Sequence, residues 1–72
     1  HQISNAHTNA ISEAVGIKRD RIPLTCPVWG NVAASALPMT LAECAPTYKK
    51  GDRIICMGVG SGLNTALMEI NW

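Results

Sequence analysis

The chain contains a run of apolar residues, Ile54–Met57, in which apolar and polar residues do not alternate. A strand of this kind needs cover on both faces, and therefore layers of structure above and below it. The chain offers only 72 residues, lacks Phe, and is 47% apolar. A core this small seldom stabilises a domain without a disulfide or a metal ion. The sequence therefore predicts that residues 1–72 are one part of a larger folded core and not an independent domain.

The three cysteines predict neither a disulfide nor a metal ion that would stabilise so small a core. They are Cys26, Cys44 and Cys56. Their number is odd and none forms a Cys-x-x-Cys pair, so neither a disulfide framework nor a zinc site is expected, and a reducing cytoplasm is the expected location. Cys44 and Cys56 lie in apolar segments and are interpreted as small buried residues. Cys26 lies in a loop, with no helix N-terminus behind it to stabilise a thiolate. None of the three is expected to be a catalytic nucleophile.

Apolar periodicity and turn residues predict an α/β layered fold with the element order α-β-α-β-β. Pro23 confines the first strand to a sheet edge, Pro38 interrupts the second helix, and the last two strands are expected to be neighbours in the sheet. The predicted elements are a helix over residues 3–15 ended by Gly16, a strand Ile22–Thr25, an irregular loop Pro27–Gly30, a helix from the N-cap Asn31 to Ala45, and strands Arg53–Val59 and Leu63–Trp72.

The net charge of +1 gives the chain no general attraction to nucleic acid or to an anionic membrane. Basic residues form two short groups, Lys18-Arg19 with Arg21, and Lys49-Lys50 with Arg53. Two interpretations stay open: solvated turns interrupted by aspartates, or contacts for the phosphates of coenzyme A or of a carrier protein. The chain has no run of about 18 apolar residues and no signal-peptide pattern, so no transmembrane segment is expected.

His1 and Asn31 each lie directly before a predicted helix, where a side chain can project into a pocket. An imidazole N–H and an amide NH₂ both donate hydrogen bonds without carrying a charge. Two such donors aimed at a thioester carbonyl stabilise the enolate-like oxygen that forms when the α-carbon becomes a carbanion, at about 3–4 kcal/mol per donor. The alternative is an arbitrary first residue and a helix-capping Asn. Taken singly, each residue fits this alternative better than a catalytic role.

The segment Gly58–Gly62 contains three glycines between the two predicted strands. A dinucleotide-binding fingerprint is not indicated, because that motif opens a helix and this segment leads into a strand. One interpretation is close backbone approach, with a main-chain N–H near Gly60 or Ser61 donating to an acyl-enzyme carbonyl. The other is a hairpin turn that requires glycine.

The remaining polar residues give no pattern for further chemistry. His7 has no second ligand at metal-binding spacing, so it is interpreted as a structural histidine. Glu13, Glu43 and Glu69 are too scattered along the sequence to predict a pair of catalytic carboxylates.

In this order, the features resemble the C-terminal portion of a thiolase-fold condensing enzyme of the β-ketoacyl-acyl-carrier-protein synthase III group. The resemblance implies that His1 and Asn31 form the oxyanion site for the thioester that becomes the carbon nucleophile. It implies that the glycine loop contributes a main-chain donor facing an acyl-cysteine, and that this Cys lies upstream of these residues. The segments that carry the resemblance are His1-Gln2, Gly30-Asn31, Ala34–Pro38, Gly51-Asp52 and Gly58–Gly62.

Two positions depart from the fatty-acid-initiating members, which typically show His-Gln-Ala-Asn followed shortly by Arg. Here Ser4 replaces that Asn, and Ala6 stands where the Arg is expected. Together with the segment from Gly60 to Asn64, this is similar to OleA-type enzymes, which join two long-chain acyl-CoAs head to head into a β-keto acid. The resemblance therefore implies an acyltransferase that performs a non-decarboxylative, Claisen-type condensation, with no cofactor other than coenzyme A as part of its thioester substrate.

Two alternatives stay open. A synthase III proper uses a malonyl-carrier thioester, whose decarboxylation generates the carbanion. A non-catalytic partner keeps the fold as the structural half of a dimer, and lacks the upstream Cys that an acyl-enzyme needs. The expected partners are the upstream thiolase half of the same polypeptide, a second copy in a homodimer, acyl-CoA and, for the first alternative, acyl-carrier protein; no nucleic acid is expected.

Overall fold

The fold was analysed in a computed structural model that describes all 72 residues. A helical region is followed by a β-hairpin. The helices are α1 (Asn5–Val15), α2 (Cys26–Trp29) and α3 (Ala36–Cys44), and the strands are β1 (Arg53–Gly60) and β2 (Asn64–Asn71). Single turns of 3-10 helix cover Arg19–Arg21, Ala33–Ser35 and Ala45–Thr47. The α/β class predicted from the sequence is confirmed.

Helix α1 begins and ends at residues whose chemistry favours those positions. The Ser4 hydroxyl oxygen accepts a hydrogen bond from the His7 backbone N–H, which otherwise has no partner in the helix. At the other end Gly16 adopts φ 71° and its N–H donates to the Ser12 carbonyl. The predicted first helix is therefore confirmed, with its start two residues later than expected.

The strand predicted at Ile22–Thr25 is not formed, and this part of the predicted element order is wrong. A strand needs a neighbour for its backbone groups, and here the side chain of Gln2 takes that place. The Thr25 N–H donates to Gln2 Oε1 at 2.7 Å, and the Pro23 carbonyl accepts from Gln2 Nε2 at 3.2 Å. The loop predicted at Pro27–Gly30 is also more regular than expected, because residues 26–29 form the helical turn α2.

Helix α3 begins at Ala36 and not at Asn31. The delay has a local cause, since Ala33 adopts φ 54°, a left-handed conformation that separates Asn31 from the helix. Pro38 lies in the first turn of α3, where a backbone N–H has no partner within the helix, so the proline is tolerated there. The interruption predicted for the second helix thus lies before Ala36.

Strands β1 and β2 pair antiparallel, as predicted, from Arg53 opposite Asn71 to Gly60 opposite Asn64. The turn between them, residues 61–63, places both Gly62 and Leu63 at positive φ, 76° and 56°. At the open end of the hairpin, the rings of Tyr48 and Trp72 meet edge to face at 5.2 Å. Burial, and next the neighbouring Cys44, raise the pKa of the Tyr48 hydroxyl.

Little of the chain is buried. Only Thr8, Thr25, Ala36 and Cys56 are buried. On the face of the hairpin that carries Ile55, Val59 and Leu67, these side chains are 55%, 47% and 73% exposed. An apolar sheet face left open in this way is expected of one part of a larger core. None of the helices has the length and apolar character needed to cross a bilayer.

Candidate active site

The side chains of His1 and Asn31 meet, although 30 residues separate them in the sequence. His1 Nδ1 lies 3.2 Å from Asn31 Oδ1, and both side chains are exposed. His1 precedes α1, and Asn31 follows α2 through Gly30, which adopts φ 72°. The two residues singled out from the sequence therefore share one location, as a joint role would require.

The orientation of the Asn31 amide is fixed by its own backbone. Asn31 Oδ1 accepts a hydrogen bond from the Ala33 N–H at 3.1 Å, as in an Asx turn. Ala33, whose N–H donates this bond, adopts a left-handed conformation. Because the oxygen is engaged, the NH₂ group of Asn31 is the half of the amide that is left to donate to a ligand.

The contact between His1 and Asn31 shows which nitrogen of the His1 ring carries the proton. Asn31 Oδ1 is an acceptor, so the facing atom, His1 Nδ1, carries the proton. A neutral ring then has a lone pair at Nε2, and Nε2 donates only when the ring is an imidazolium. An uncharged donor role of the Asn31 NH₂ stays a prediction, whereas His1 in this geometry donates to a second acceptor only in its charged form.

Gly60 and Ser61 lie at the end of β1 and in the hairpin turn. Gly60 is opposite Asn64, whose Nδ2 donates to the Ser61 carbonyl at 2.8 Å. This geometry is that of a hairpin turn that uses Gly62 at positive φ. A role of the Gly60 or Ser61 N–H toward an acyl group stays a prediction.

A cavity of about 360 Å³ lies between α1, α3 and β1. His1 is part of its wall, and so is Val59, the residue directly before Gly60. The end of β1 and the His1–Asn31 pair therefore lie beside the same cavity. The apolar residues of the wall larger than alanine are Ile11, Val15, Ile22, Leu37, Ile55, Met57 and Val59.

His7 also lines this cavity, but no group of three His, Cys, Asp or Glu side chains comes together in a way that suits a metal ion. Two of the three glutamates have structural partners. Glu43 accepts from the Trp29 indole N–H at 2.7 Å, and Glu69 pairs with Arg53 at 2.7 Å. These contacts link neighbouring elements, and they do not bring the glutamates together.

Two of the three arginines in the basic groups, Arg19 and Arg53, are occupied within the chain. Arg19 donates to the side chains of Asn5 and Asn9 and to the Ile22 carbonyl, at 3.1, 2.9 and 2.7 Å. Arg53 forms the ion pair with Glu69. These bonds favour the interpretation of both groups as structured turns over contacts for phosphates.

Comparison with known proteins gives the family of the chain. The model of the 3-oxoacyl-(acyl-carrier-protein) synthase III C-terminal family matches residues 1–72. The chain belongs to this family. The resemblance predicted from its sequence is thereby confirmed.

Synthase III relatives match over the full chain. An acyl-CoA:acyl-CoA alkyltransferase from Xanthomonas campestris pv. campestris is 35% identical over 74 residues, which is 100% of this chain and 22% of the relative. A β-ketoacyl-(acyl-carrier-protein) synthase III from Clostridium tetani is 31% identical, with the same coverage. A second acyl-CoA:acyl-CoA alkyltransferase, from Shewanella oneidensis, is 28% identical over 100% of this chain and 21% of the relative. No solved structure matches. The chain therefore spans about a fifth of the length of these relatives.

One well-connected residue of this synthase III C-terminal segment is not among the candidate site residues predicted from the sequence. Gln2, half-buried beside His1, makes hydrogen bonds to Pro23, Thr25, Cys26 and Thr40. Its partners lie 21 to 38 residues away, so no local pattern marks them. The available signal was its place directly after the candidate His.

Proposed function

We propose that the protein containing this chain joins two acyl-CoA thioesters, with long acyl chains, by a Claisen-type condensation to a β-keto acid or thioester. Two observations support the proposal. The contact between His1 and Asn31 places an imidazole beside an amide whose NH₂ group is left to donate. The 35% identity to an acyl-CoA:acyl-CoA alkyltransferase favours two acyl-CoA substrates. The contact between His1 and Asn31 is the observation on which the function most depends.

The chemistry needs a nucleophilic Cys from the upstream part of the protein. Its thiolate attacks the first acyl-CoA, forming a cysteine thioester and releasing coenzyme A thiolate. The second acyl-CoA loses its α-proton to a base, and the resulting carbanion attacks the carbonyl carbon of the cysteine thioester. The C–S bond breaks, the electron pair returns to the Cys thiolate, and a β-ketoacyl thioester leaves. Coenzyme A is part of the substrate, and no cofactor takes part.

His1 and Asn31 act in the second half of this reaction. Removing the α-proton places negative charge on the thioester oxygen of the second acyl-CoA. The Asn31 NH₂ donates to that oxygen, and His1 Nε2 donates to it in the imidazolium form. Donors positioned in advance of the reaction contribute about 3–4 kcal/mol each to lowering such a barrier. A main-chain N–H at Gly60 or Ser61 donates to the carbonyl of the acyl-cysteine.

The experiment measures the two half-reactions separately in the full-length protein. Acylation is followed as the mass of the acyl-enzyme, and condensation as a single turnover of acyl-enzyme with a second acyl-CoA. His1→Ala and Asn31→Ala are each expected to slow condensation by a factor of roughly 100 to 1,000 while acylation continues. Asn9→Ala, an exposed asparagine on α1 that does not line the cavity, is the matched control and is expected to leave both rates unchanged. Equal losses of acylation and condensation in both site variants would contradict the assigned half-reaction.

A second candidate is a decarboxylative synthase III, which the Clostridium tetani relative favours at 31% identity. In that reaction a malonyl-carrier thioester loses CO₂ to give the carbanion, so no α-proton is removed. Product formation from two acyl-CoAs with no malonyl thioester present supports condensation of acyl-CoAs. Product that forms only after malonyl thioester is added supports the decarboxylative reaction. Failure to form any acyl-enzyme identifies a non-catalytic partner.

A further inference from the structure

We propose that Gln2 is a positioning residue that holds His1 and Asn31 at the distance condensation requires. The proposal rests on the proposed function, because it assigns Gln2 a role through the oxyanion site. Gln2 is covalently attached to His1, and its side chain binds the segments on both sides of Asn31. One amide therefore connects the two halves of the site.

The oxygen of the Gln2 amide binds the segment that precedes Asn31. Gln2 Oε1 accepts from the backbone N–H groups of Thr25 and Cys26, at 2.7 and 3.1 Å, and lies 3.2 Å from the Thr25 hydroxyl. Thr25 precedes α2 and Cys26 is its first residue, and only Gly30 separates the end of α2 from Asn31. The position of the start of α2 relative to His1 is therefore set by this oxygen.

The nitrogen of the same amide binds the segment that follows Asn31. Gln2 Nε2 donates to Thr40 Oγ1 at 3.3 Å, and Thr40 Oγ1 donates to the Ala36 carbonyl at 2.7 Å. Ala36 is the first residue of α3 and is buried. The Thr25 and Thr40 hydroxyls lie 3.0 Å apart and close the network.

The network accepts an amide and no similar group. One end of the side chain faces two backbone N–H donors, and the other faces the Pro23 carbonyl at 3.2 Å, which can only accept. A glutamate at position 2 would bring a carboxylate oxygen against that carbonyl. A methionine has the same length but makes none of these bonds. Thr25 is buried, so its polar groups would lose their partner without access to water.

The alternative is a purely structural role, in which Gln2 only stabilises the fold. A residue that acts through His1 and Asn31 affects the transition state of condensation, so it lowers kcat for that step and leaves the KM of the second acyl-CoA nearly unchanged. A residue that only stabilises the fold lowers the amount of active protein, and both half-reactions then fall together. The two roles therefore differ in a measurable way.

The test uses the full-length protein with Gln2→Met and Gln2→Glu, compared in both half-reactions. Because a misplacement of about 1 Å costs up to roughly 100-fold, condensation by the acyl-enzyme is expected to slow by about 10- to 100-fold. Acyl-enzyme formation and the KM of the second acyl-CoA are expected to stay within about threefold. Equal losses in both half-reactions would overturn the positioning role.

A second pair of variants keeps the test decisive if Gln2→Met fails to fold. Thr40→Val replaces the hydroxyl with a methyl group of similar size, and Thr40→Ser keeps the hydroxyl. Thr40→Val is expected to slow condensation selectively, and Thr40→Ser to restore most of the rate. If both Thr40 variants condense at the same rate, the link from Gln2 to α3 carries no positioning and the proposal is wrong.

Combination with His1→Ala separates this proposal from the proposed function. If Gln2 acts through His1, the double variant His1→Ala/Gln2→Met condenses faster than the two separate losses multiplied together would give. If His1→Ala slows condensation and Gln2→Met and Thr40→Val do not, the positioning role is wrong and the proposed function stands. If His1→Ala condenses at the wild-type rate, the proposed function is wrong and the positioning role falls with it.

Discussion

At the scale of single residues, the site depends on which atom of Asn31 faces which partner. Its oxygen serves Ala33 N–H and His1 Nδ1, so only its nitrogen is available to a substrate. Local structure and proposed chemistry thus use opposite ends of one amide. This division makes the two functions separable by a single-atom substitution.

Asn31→Asp is expected to keep the local fold and lose condensation. One carboxylate oxygen still accepts from the Ala33 N–H, but the other replaces the NH₂ donor and repels the developing oxyanion. We expect condensation to fall by at least about 100-fold, with acylation retained. Asn9→Asp is the matched control, because Asn9 Oδ1 only accepts, from Arg19 at 2.9 Å. Unchanged condensation in Asn31→Asp would show that its NH₂ does not contact the substrate.

The left-handed conformation of Ala33 gives a prediction on stability. A Cβ at φ 54° is strained, and glycine removes that strain. Ala33→Gly is therefore expected to raise the free energy of unfolding of the full-length protein by about 0.5–1 kcal/mol. Ala34→Gly, one residue on without a positive φ, is expected to lower it by a similar amount. Urea unfolding checks both, and two losses of equal size would contradict the assignment of strain.

At the scale of elements, the sequence predicts those whose determinants are local. Ser4 and Gly16 delimit α1 by their own chemistry, and glycines mark the hairpin turn. The strand expected at Ile22–Thr25 failed because a glutamine more than 20 residues away occupies its backbone groups. Likewise the prediction of His1 and Asn31 as site residues uses their type and position, whereas the role proposed for Gln2 depends on partners that only the fold brings together.

The hairpin carries an ion pair whose effect depends on pH. Arg53 lies diagonally opposite Glu69 across the strands, and its hydrogen bond and charge hold the pKa of Glu69 below the ordinary 4.5. A carboxyl with a lowered pKa in the folded state stabilises above its ordinary pKa, and this contribution is lost as pH falls through the folded value. The Tm difference between wild type and Glu69→Gln is therefore expected to be small at pH 7, to shrink as pH falls below 4.5, and to vanish only below the lowered pKa of Glu69. Glu13→Gln, on α1, is the control. A Tm difference that grows on acidification would contradict the ion pair.

At the scale of the whole molecule, the hairpin has an apolar face that residues 1–72 leave exposed. The apolar run at Ile54–Met57 predicted cover on two sides, and here Cys56 is buried while Ile55 is 55% exposed. The chain spans 22% of the Xanthomonas campestris relative, so most of a protein of that length lies outside these residues. Ile55 and Val59 border the cavity between α1, α3 and β1, and the remaining polypeptide is the expected cover for Leu67 and for the exposed parts of these two side chains.

Leu67 and Leu63 provide the test of this cover, because both are exposed in the present chain, at 73% and 86%. Leu67 lies within β2 on the open apolar face, whereas Leu63 lies in the turn at φ 56°, a conformation that asparagine tolerates. In the full-length protein, Leu67→Asn is expected to lower the free energy of unfolding by about 2–3 kcal/mol, since it loses a buried apolar side chain and introduces a polar one. Leu63→Asn is expected to change it by less than about 0.5 kcal/mol. Equal, small effects of the two substitutions would mean that this face of the hairpin stays in contact with water in the complete protein.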